Sequence, residues 1–369
     1  MKKLPFTMPA ITSFPAYADA LAILTSHEES FDWLYSNYIK IQVNDIVNRT
    51  NDPNDAMSFA PFTSSFFCDF DTRRQANVIG DNFFLGGERC PFLSIFEIPT
   101  QFIDKIASNF CDFVRMAVDN DYYIFGYFDV SQIEVYRQNN IHDLFGHQFM
   151  IHGYDNDEKC IFFADFLDKG KFRLAKCSYS QIDAAYTNMS ELVIPLIKSI
   201  VAIKYNEQGF YTFDILHIKE QIASYITPNL HIAKLQNDYT LTMFTPVGWE
   251  TETYMGVDIY DYLVNFIYKA LDLQKTSIDL HHFHAMFDHK NMMLRRVDYF
   301  VQKGYLPRDV IVLNRRYKSD VRDKVLMARN LVIKYNLKPD LRIIKVISAL
   351  LSEAREQEIL LLKKIYNIE

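Results

Sequence analysis

Apolar and polar positions alternate with two different periods along this chain. Between residues 146 and 165, two short apolar runs, Phe149-Met150-Ile151 and Ile161-Phe162-Phe163-Ala164, flank the polar tetrapeptide Asn156-Asp157-Glu158-Lys159. Runs of this kind closed by a short polar turn predict an antiparallel β-hairpin. Upstream, 122–128 reads as a strand, and 16–27 and 99–118 read as helices. The first helix has a clear start. Ser13-Phe14-Pro15 puts serine near the cap and proline in the first turn, and Tyr17, Ala20, Leu21 and Leu24 fall on one face. From about Ser178 helical spacing dominates, over 179–205, 216–226, 257–271, 279–303, 319–335 and 341–366, with a short strand pair around 237–245. The pattern predicts an α+β fold in two parts: a domain over residues 1–180 and a mainly helical domain over 181–369.

With 369 residues, 49% hydrophobic and 23% charged, the chain can bury a sizeable core, and its length suits about two domains. The net charge of -7, with acids and bases interspersed, argues against a nucleic-acid footprint. Thirty phenylalanines and 23 tyrosines serve a core first, and they also suit an apolar channel around a ligand. Five cysteines with no CxxC pair argue against a disulfide framework and a zinc site, and they fit a reducing, cytoplasmic compartment. Met1-Lys2-Lys3 and Ala16-Tyr17-Ala18 imitate the ends of a signal peptide. Pro5, Pro9 and Pro15 interrupt the region between them, and the apolar pattern runs on through Leu21, Ile23 and Leu24, so secretion is not expected. No apolar run is long enough to span a bilayer.

Pairing across a tight turn brings the far ends of a hairpin together. A ladder that sets His147 opposite Asp165 puts both side chains on one face. That is an imidazole base with the carboxylate that holds its tautomer, two members of a Cys-His-Asp triad. A slip of one residue would turn Asp165 to the other face. An ordinary hairpin with a polar rim is the competing reading. A thiol nucleophile for this pair belongs at a helix amino terminus, where free amides and the macrodipole lower its pKa. The helix opening at Pro15-Ala16-Tyr17 has the right place in the chain, yet residue 16 is alanine and no cysteine precedes Cys68.

The other candidates are weaker. Cys90, before Pro91, could open a helix, whereas Cys111 falls mid-helix, Cys160 on a strand and Cys177 after the hairpin, as structural thiols do. His152 is five residues from His147 and faces the other way. His142 precedes the strand, at the mouth of a pocket. Tyr17 neighbours the nucleophile position, and Asp129 and Tyr136 are candidates for shaping a substrate channel, with core packing and solvated loops as their alternatives. His281, His284 and Asp288 share a helical face, but no second cluster supplies a fourth ligand, so no metal is expected. Gly86-Gly87 reads as a turn without the pattern of a phosphate loop.

Residues 8–37 and 121–166 resemble the papain-fold, bacteriocin-leader-peptidase-like acyltransferases and amide synthases of antibiotic biosynthesis, the butirosin acyltransferase N-terminal-like and closthioamide-type proteins. The resemblance rests on Ala16-Tyr17, where the family has Cys-Tyr, on His147 with Gly153-Tyr154-Asp155, and on Ala164-Asp165-Phe166. The run from Phe287-Asp288-His289-Lys290 to Met293-Leu294-Arg295-Arg296 resembles the family's C-terminal helical region. The resemblance implies a papain-like fold with an added helical domain closing over its cleft, a cysteine nucleophile at position 16, His147 as base and Asp165 as its orienting acid. It implies amide formation between an amine and an acyl group held as a thioester on a carrier protein's phosphopantetheine arm. No further cofactor, nucleic acid or membrane is implied. Papain's upstream glutamine has no counterpart, since position 10 is alanine. Ala16 leaves three explanations: replacement of a native cysteine to trap substrate, a natural binding protein that kept the pocket, or another cysteine as nucleophile. A cysteine peptidase or amidase is the alternative activity.

Overall fold

The computed structural model describes residues 1–13, 15–46, 65–69, 90–138, 141–167, 171–190, 199–228, 251–272 and 277–368. In chain order its elements begin with β1 (Lys2–Lys3), α1 (Pro15–Leu24), α2 (Phe31–Ser36), β2 (Lys40–Ile46), β3 (Ser65–Asp69), β4 (Leu93–Pro99) and α3 (Thr100–Ile106). Next come α4 (Phe110–Asp119), β5 (Tyr122–Asp129), α5 (Glu134–Arg137), β6 (Gly146–Asp155), β7 (Cys160–Leu167), β8 (Lys171–Ser178), α6 (Tyr179–Ser190) and β9 (Ser199–Tyr205). The chain continues with α7 (Ile215–Ile226), β10 (Thr251–Met255), α8 (Ile259–Asp272), α9 (His281–Gln302), α10 (Val310–Tyr317), α11 (Asp323–Leu337) and α12 (Leu341–Tyr366). The fold is α+β, as the hydrophobic pattern predicts.

Two compact units share the chain, Met1–Leu34 with Asn77–Thr212 and Tyr35–Ala76 with Phe213–Glu369. The units are therefore interleaved in sequence, and the division expected near residue 180 falls inside the first, in the first turn of α6. The first unit carries a seven-stranded antiparallel sheet in the order β4-β9-β5-β6-β7-β8, with β1 pairing with β6. Gly153 makes that last pairing possible, because a Cβ there would lie 2.7 Å from the Lys2 carbonyl oxygen. From Ala18 on, helix α1 is buried: Ala18, Ala20, Leu21, Ala22, Ile23 and Leu24 are fully buried, with Asp19 the one acid among them. Such a stretch belongs inside a core. It packs against β6 and β7.

Two predicted helices are corrected. The stretch 99–118 forms α3 and α4, because Asn109 caps α4 by accepting the Asp112 amide at 2.8 Å. The stretch 179–205 leaves its helix at Ser190 and enters β9, where Ile200, Val201, Ala202 and Ile203 are buried between β4 and β5. A buried strand reads as a continuous apolar run, which periodicity alone does not separate from a buried helix.

In the second unit β10, β2 and β3 form a three-stranded antiparallel sheet, accompanied by α7 to α12. The segment 287–296 lies within α9, and Asp288, His289, Lys290 and Arg296 are buried there. Lys290 and Glu358 make a wholly buried ion pair at 2.8 Å. Tyr225 and Tyr260 donate to Glu358 at 3.0 and 2.8 Å, and Tyr317 also donates to it. The expected strand pair at 237–245 and the turn at Gly86-Gly87 lie outside the described residues. Among the described residues, no helix is long and apolar enough to cross a membrane.

Candidate active site

The hairpin forms where the sequence places it. Asp155 shapes its turn by accepting the amides of Asp157 and Glu158 at 2.8 and 3.2 Å, as an Asx turn does. The register differs from the one that sets His147 opposite Asp165. Met150 pairs with Ala164 and Ile151 with Phe163, a shift of two residues, and a bulge at His152 follows before Gly153 pairs with Phe162. An even shift keeps every side chain on its face. His147 therefore still meets Asp165, diagonally, with Nε2 3.1 Å from the carboxylate. The bulge adds one residue, which sends the strand beyond it into a new register.

His147 stands at the edge of an aromatic layer. Phe128 stacks on Phe149 at 4.4 Å, and Phe149 meets Phe163 at 4.7 Å. The imidazole is 28% exposed, whereas the Asp165 side chain is fully buried. Tyr136, on α5, donates its hydroxyl to Oδ2 of Asp165, and His147 Nε2 lies 3.1 Å from both oxygens of that carboxylate. Burial, and then the charge of Asp165, hold the Tyr136 phenol well above the ordinary tyrosine range. The buried Asp165 carboxylate thus has two hydrogen-bonding partners, Tyr136 and His147, as a buried polar group requires. With Nε2 turned to Asp165, Nδ1 is the ring nitrogen left for a reacting group.

Each remaining candidate has a definite place. Asp129 is wholly buried. Ser131 donates to it at 2.7 Å, Asn188 at 2.9 Å, Gln132 at 3.1 Å and the Phe145 amide at 3.1 Å. Burial alone would raise its carboxyl, but these donors outweigh burial and hold it below the ordinary range. Its work is to pin the backbone two residues before His147. Tyr136, 3% exposed, is the second partner of Asp165. His142 is exposed on the segment before β6. Position 16 lies in the first turn of α1, and the side chains of Ala16 and Tyr17 fall outside the described residues. His152 is buried and stacks on Phe6 at 4.9 Å, away from His147.

The cysteines offer no substitute nucleophile among the described side chains. Cys90, Cys111, Cys160 and Cys177 are free and buried, and burial is the first cause holding each thiol above the ordinary range. A reactive cysteine needs the reverse, partial exposure and a nearby positive charge. Cys90 precedes a turn into β4 and does not open a helix. Cys111 is in the first turn of α4, not mid-helix, and its sulfur donates to the Tyr179 carbonyl at 3.4 Å. In the second unit His281 bonds Asp279 at 2.7 Å, and His284 lies 3.8 Å from Asp288.

One residue escaped the sequence reading. Asp19 is 1% exposed in α1, and its Oδ1 has no hydrogen-bond partner. Its neighbour Ala18 packs against Ala164 and Phe172. Burial, and then the charge of Asp165, hold the Asp19 carboxyl well above the usual carboxylate range. The signal was present in the sequence, as a lone acid inside an otherwise apolar helical run. No protein-family model matches the chain, and no curated protein sequence matches it either.

Proposed function

We propose that this chain is an acyl-transfer protein of papain-like fold, working in the cytoplasm, in which His147 is the general base and Asp165 fixes its tautomer. The product is an amide, formed from an amine and an acyl group delivered as a carrier-protein thioester. The observation that carries this reading is the bond from His147 Nε2 to a buried carboxylate that Tyr136 also supports. A partly buried imidazole steadied in this way has one nitrogen free for proton transfer. The aromatic layer around it restrains water, and a dry site favours an amine over hydrolysis.

With cysteine at position 16, its thiolate would attack the thioester carbonyl and expel the carrier thiol, which takes a proton from His147. The amine then attacks the thioester formed on the protein. His147 accepts the amine proton and returns it to the departing sulfur. Amides in the first turn of α1 are the candidate donors to the oxyanion. With alanine at position 16 the chain keeps the base and its orienting acid without the nucleophile. Ala16 itself favours a second reading, a protein that binds the acyl donor and does not turn it over.

Mass spectrometry on the unmodified chain and on Ala16→Cys, each given a carrier-bound acyl thioester with and without an amine, separates these readings. The expected result is an acyl adduct on the Ala16→Cys protein alone, discharged as an amide when the amine is added and lost when His147→Ala is combined with it. Peptide cleavage without amide product would make the site a peptidase. Thioester binding without an adduct in either form would leave only the binding reading.

A further inference from the structure

Past the bulge at His152, β1 lies beside the end of β6. Lys3 pairs with Gly153 from one side, and Phe162 of β7 pairs with it from the other. A Cβ at Gly153 would stand 3.0 Å from Lys3 Cγ, so the missing side chain lets Lys3 reach across the strand. Its Nζ lies over the Phe162 ring, 3.6 Å from the centroid. A pocket of about 370 Å³ opens here, and its walls include Lys3, Phe6, His152, Phe162, Leu174 and Lys176. Strands β7 and β8 pair without a break, and Phe162 is three residues from Asp165. Phe162 therefore projects from the opposite face of β7 to Asp165, away from the His147 pair.

Shape, polarity and charge each say what suits this pocket. Phe6 stacks on His152 at 4.9 Å with the rings 12° apart, and Phe162 stands 6.4 Å from the same imidazole. Flat walls of this kind suit a flat ring. A cavity of about 150 Å³ already takes benzene, so this one has room for a ring with a short substituent. His152 is 5% exposed, yet neither of its ring nitrogens has a hydrogen-bond partner among the described residues. A neutral imidazole has one N–H and one acceptor, and buried polar atoms are normally bonded. Lys176 pairs with Glu158, whereas among the described residues Lys3 has no carboxylate partner. We propose that this pocket binds a small aromatic monocarboxylate, its ring against Phe6, His152 and Phe162 and its carboxylate held by the Lys3 ammonium and the His152 N–H. Binding here needs neither His147 nor position 16, so the proposal stands apart from the acyl-transfer reading.

The test is isothermal titration calorimetry of the full chain with sodium benzoate, with histidine ring NMR to locate the contact. Benzoate should saturate one site and move the His152 ring signals. Benzyl alcohol keeps the ring without the charge and should bind at least about tenfold more weakly. Hexanoate keeps the charge without the ring and should also bind more weakly. Lys3→Met changes an exposed residue, and His152→Phe keeps the stack without the nitrogens. Each should weaken benzoate binding by about tenfold or more, whereas His147→Ala should bind it as the unmodified chain does. No saturable binding, equal affinity for benzyl alcohol or hexanoate, full affinity in Lys3→Met or His152→Phe, or loss in His147→Ala would overturn the proposal.

Discussion

His147 reaches Asp165 through Nε2, at 3.1 Å, although the two residues are diagonal neighbours in the ladder and not directly paired. The bond therefore depends on the angle of the ring as well as on strand register. Tyr136 supplies a second restraint, because its hydroxyl donates to the same carboxylate.

Tyr136→Phe removes that donor and keeps the ring. A buried carboxylate that loses one of two donors costs about 1–3 kcal/mol. The denaturation midpoint should fall accordingly, and the His147 ring signals should broaden as Asp165 gains freedom. Unchanged stability would mean that the Tyr136 hydroxyl adds nothing to the pair.

Asp19 makes stability depend on pH in a definite direction. Its folded-state carboxyl is held above its unfolded value, so the unfolded chain releases this proton first. The stabilising effect of the retained proton is complete below the unfolded value and is lost as pH rises toward the folded one. Each pH unit in that window costs about 1.4 kcal/mol. Asp19→Asn should therefore gain on wild type as pH rises above about 4, the unfolded carboxyl range, in denaturant melts across a pH series. A constant difference across the series would contradict this.

His152 acts in the opposite sense. Burial, and then Lys3, lower its imidazole to about 4, below the ordinary value of 6.5. A histidine lowered in the folded state contributes stability that is present above the unfolded value and lost as pH falls through the folded one. The loss between pH 6.5 and 4 amounts to about 3 kcal/mol. His152→Phe, which keeps the stack on Phe6, should flatten the acid side of the stability curve measured by chemical denaturation. The same acid slope in both proteins would show that His152 is not its source.

The second unit offers a test of its own core. Glu358→Ala removes the carboxylate that pairs with buried Lys290 and accepts from three tyrosine hydroxyls, a loss of about 3–5 kcal/mol. Glu358→Gln, which keeps an acceptor oxygen, should lose less. Equal unfolding free energies for the two variants would mean that the hydroxyls are indifferent to that oxygen.

Much of the candidate site was legible because a strand period of two, a polar turn and one histidine are local signals. The two-residue register shift was not legible, since the bulge at His152 depends on how β6 pairs with β7. Its evenness is what kept His147 and Asp165 together. Strand β8 carries Lys171, Arg173 and Lys176 on a sheet edge, so charge hid its period. Strand β9 was hidden the other way, by a run too apolar to show any period. Tyr136 reaches Asp165 from an element distant in sequence, and only the folded arrangement shows what it does.

The proposed chemistry needs the amino end of α1 beside His147, and the thiol of Ala16→Cys reports on that directly. Its alkylation rate by iodoacetamide, followed against pH, should give a thiol pKa below the ordinary value of about 8.5, and His147→Ala should bring it back up. A thiol that titrates normally and takes no notice of His147 would contradict the account.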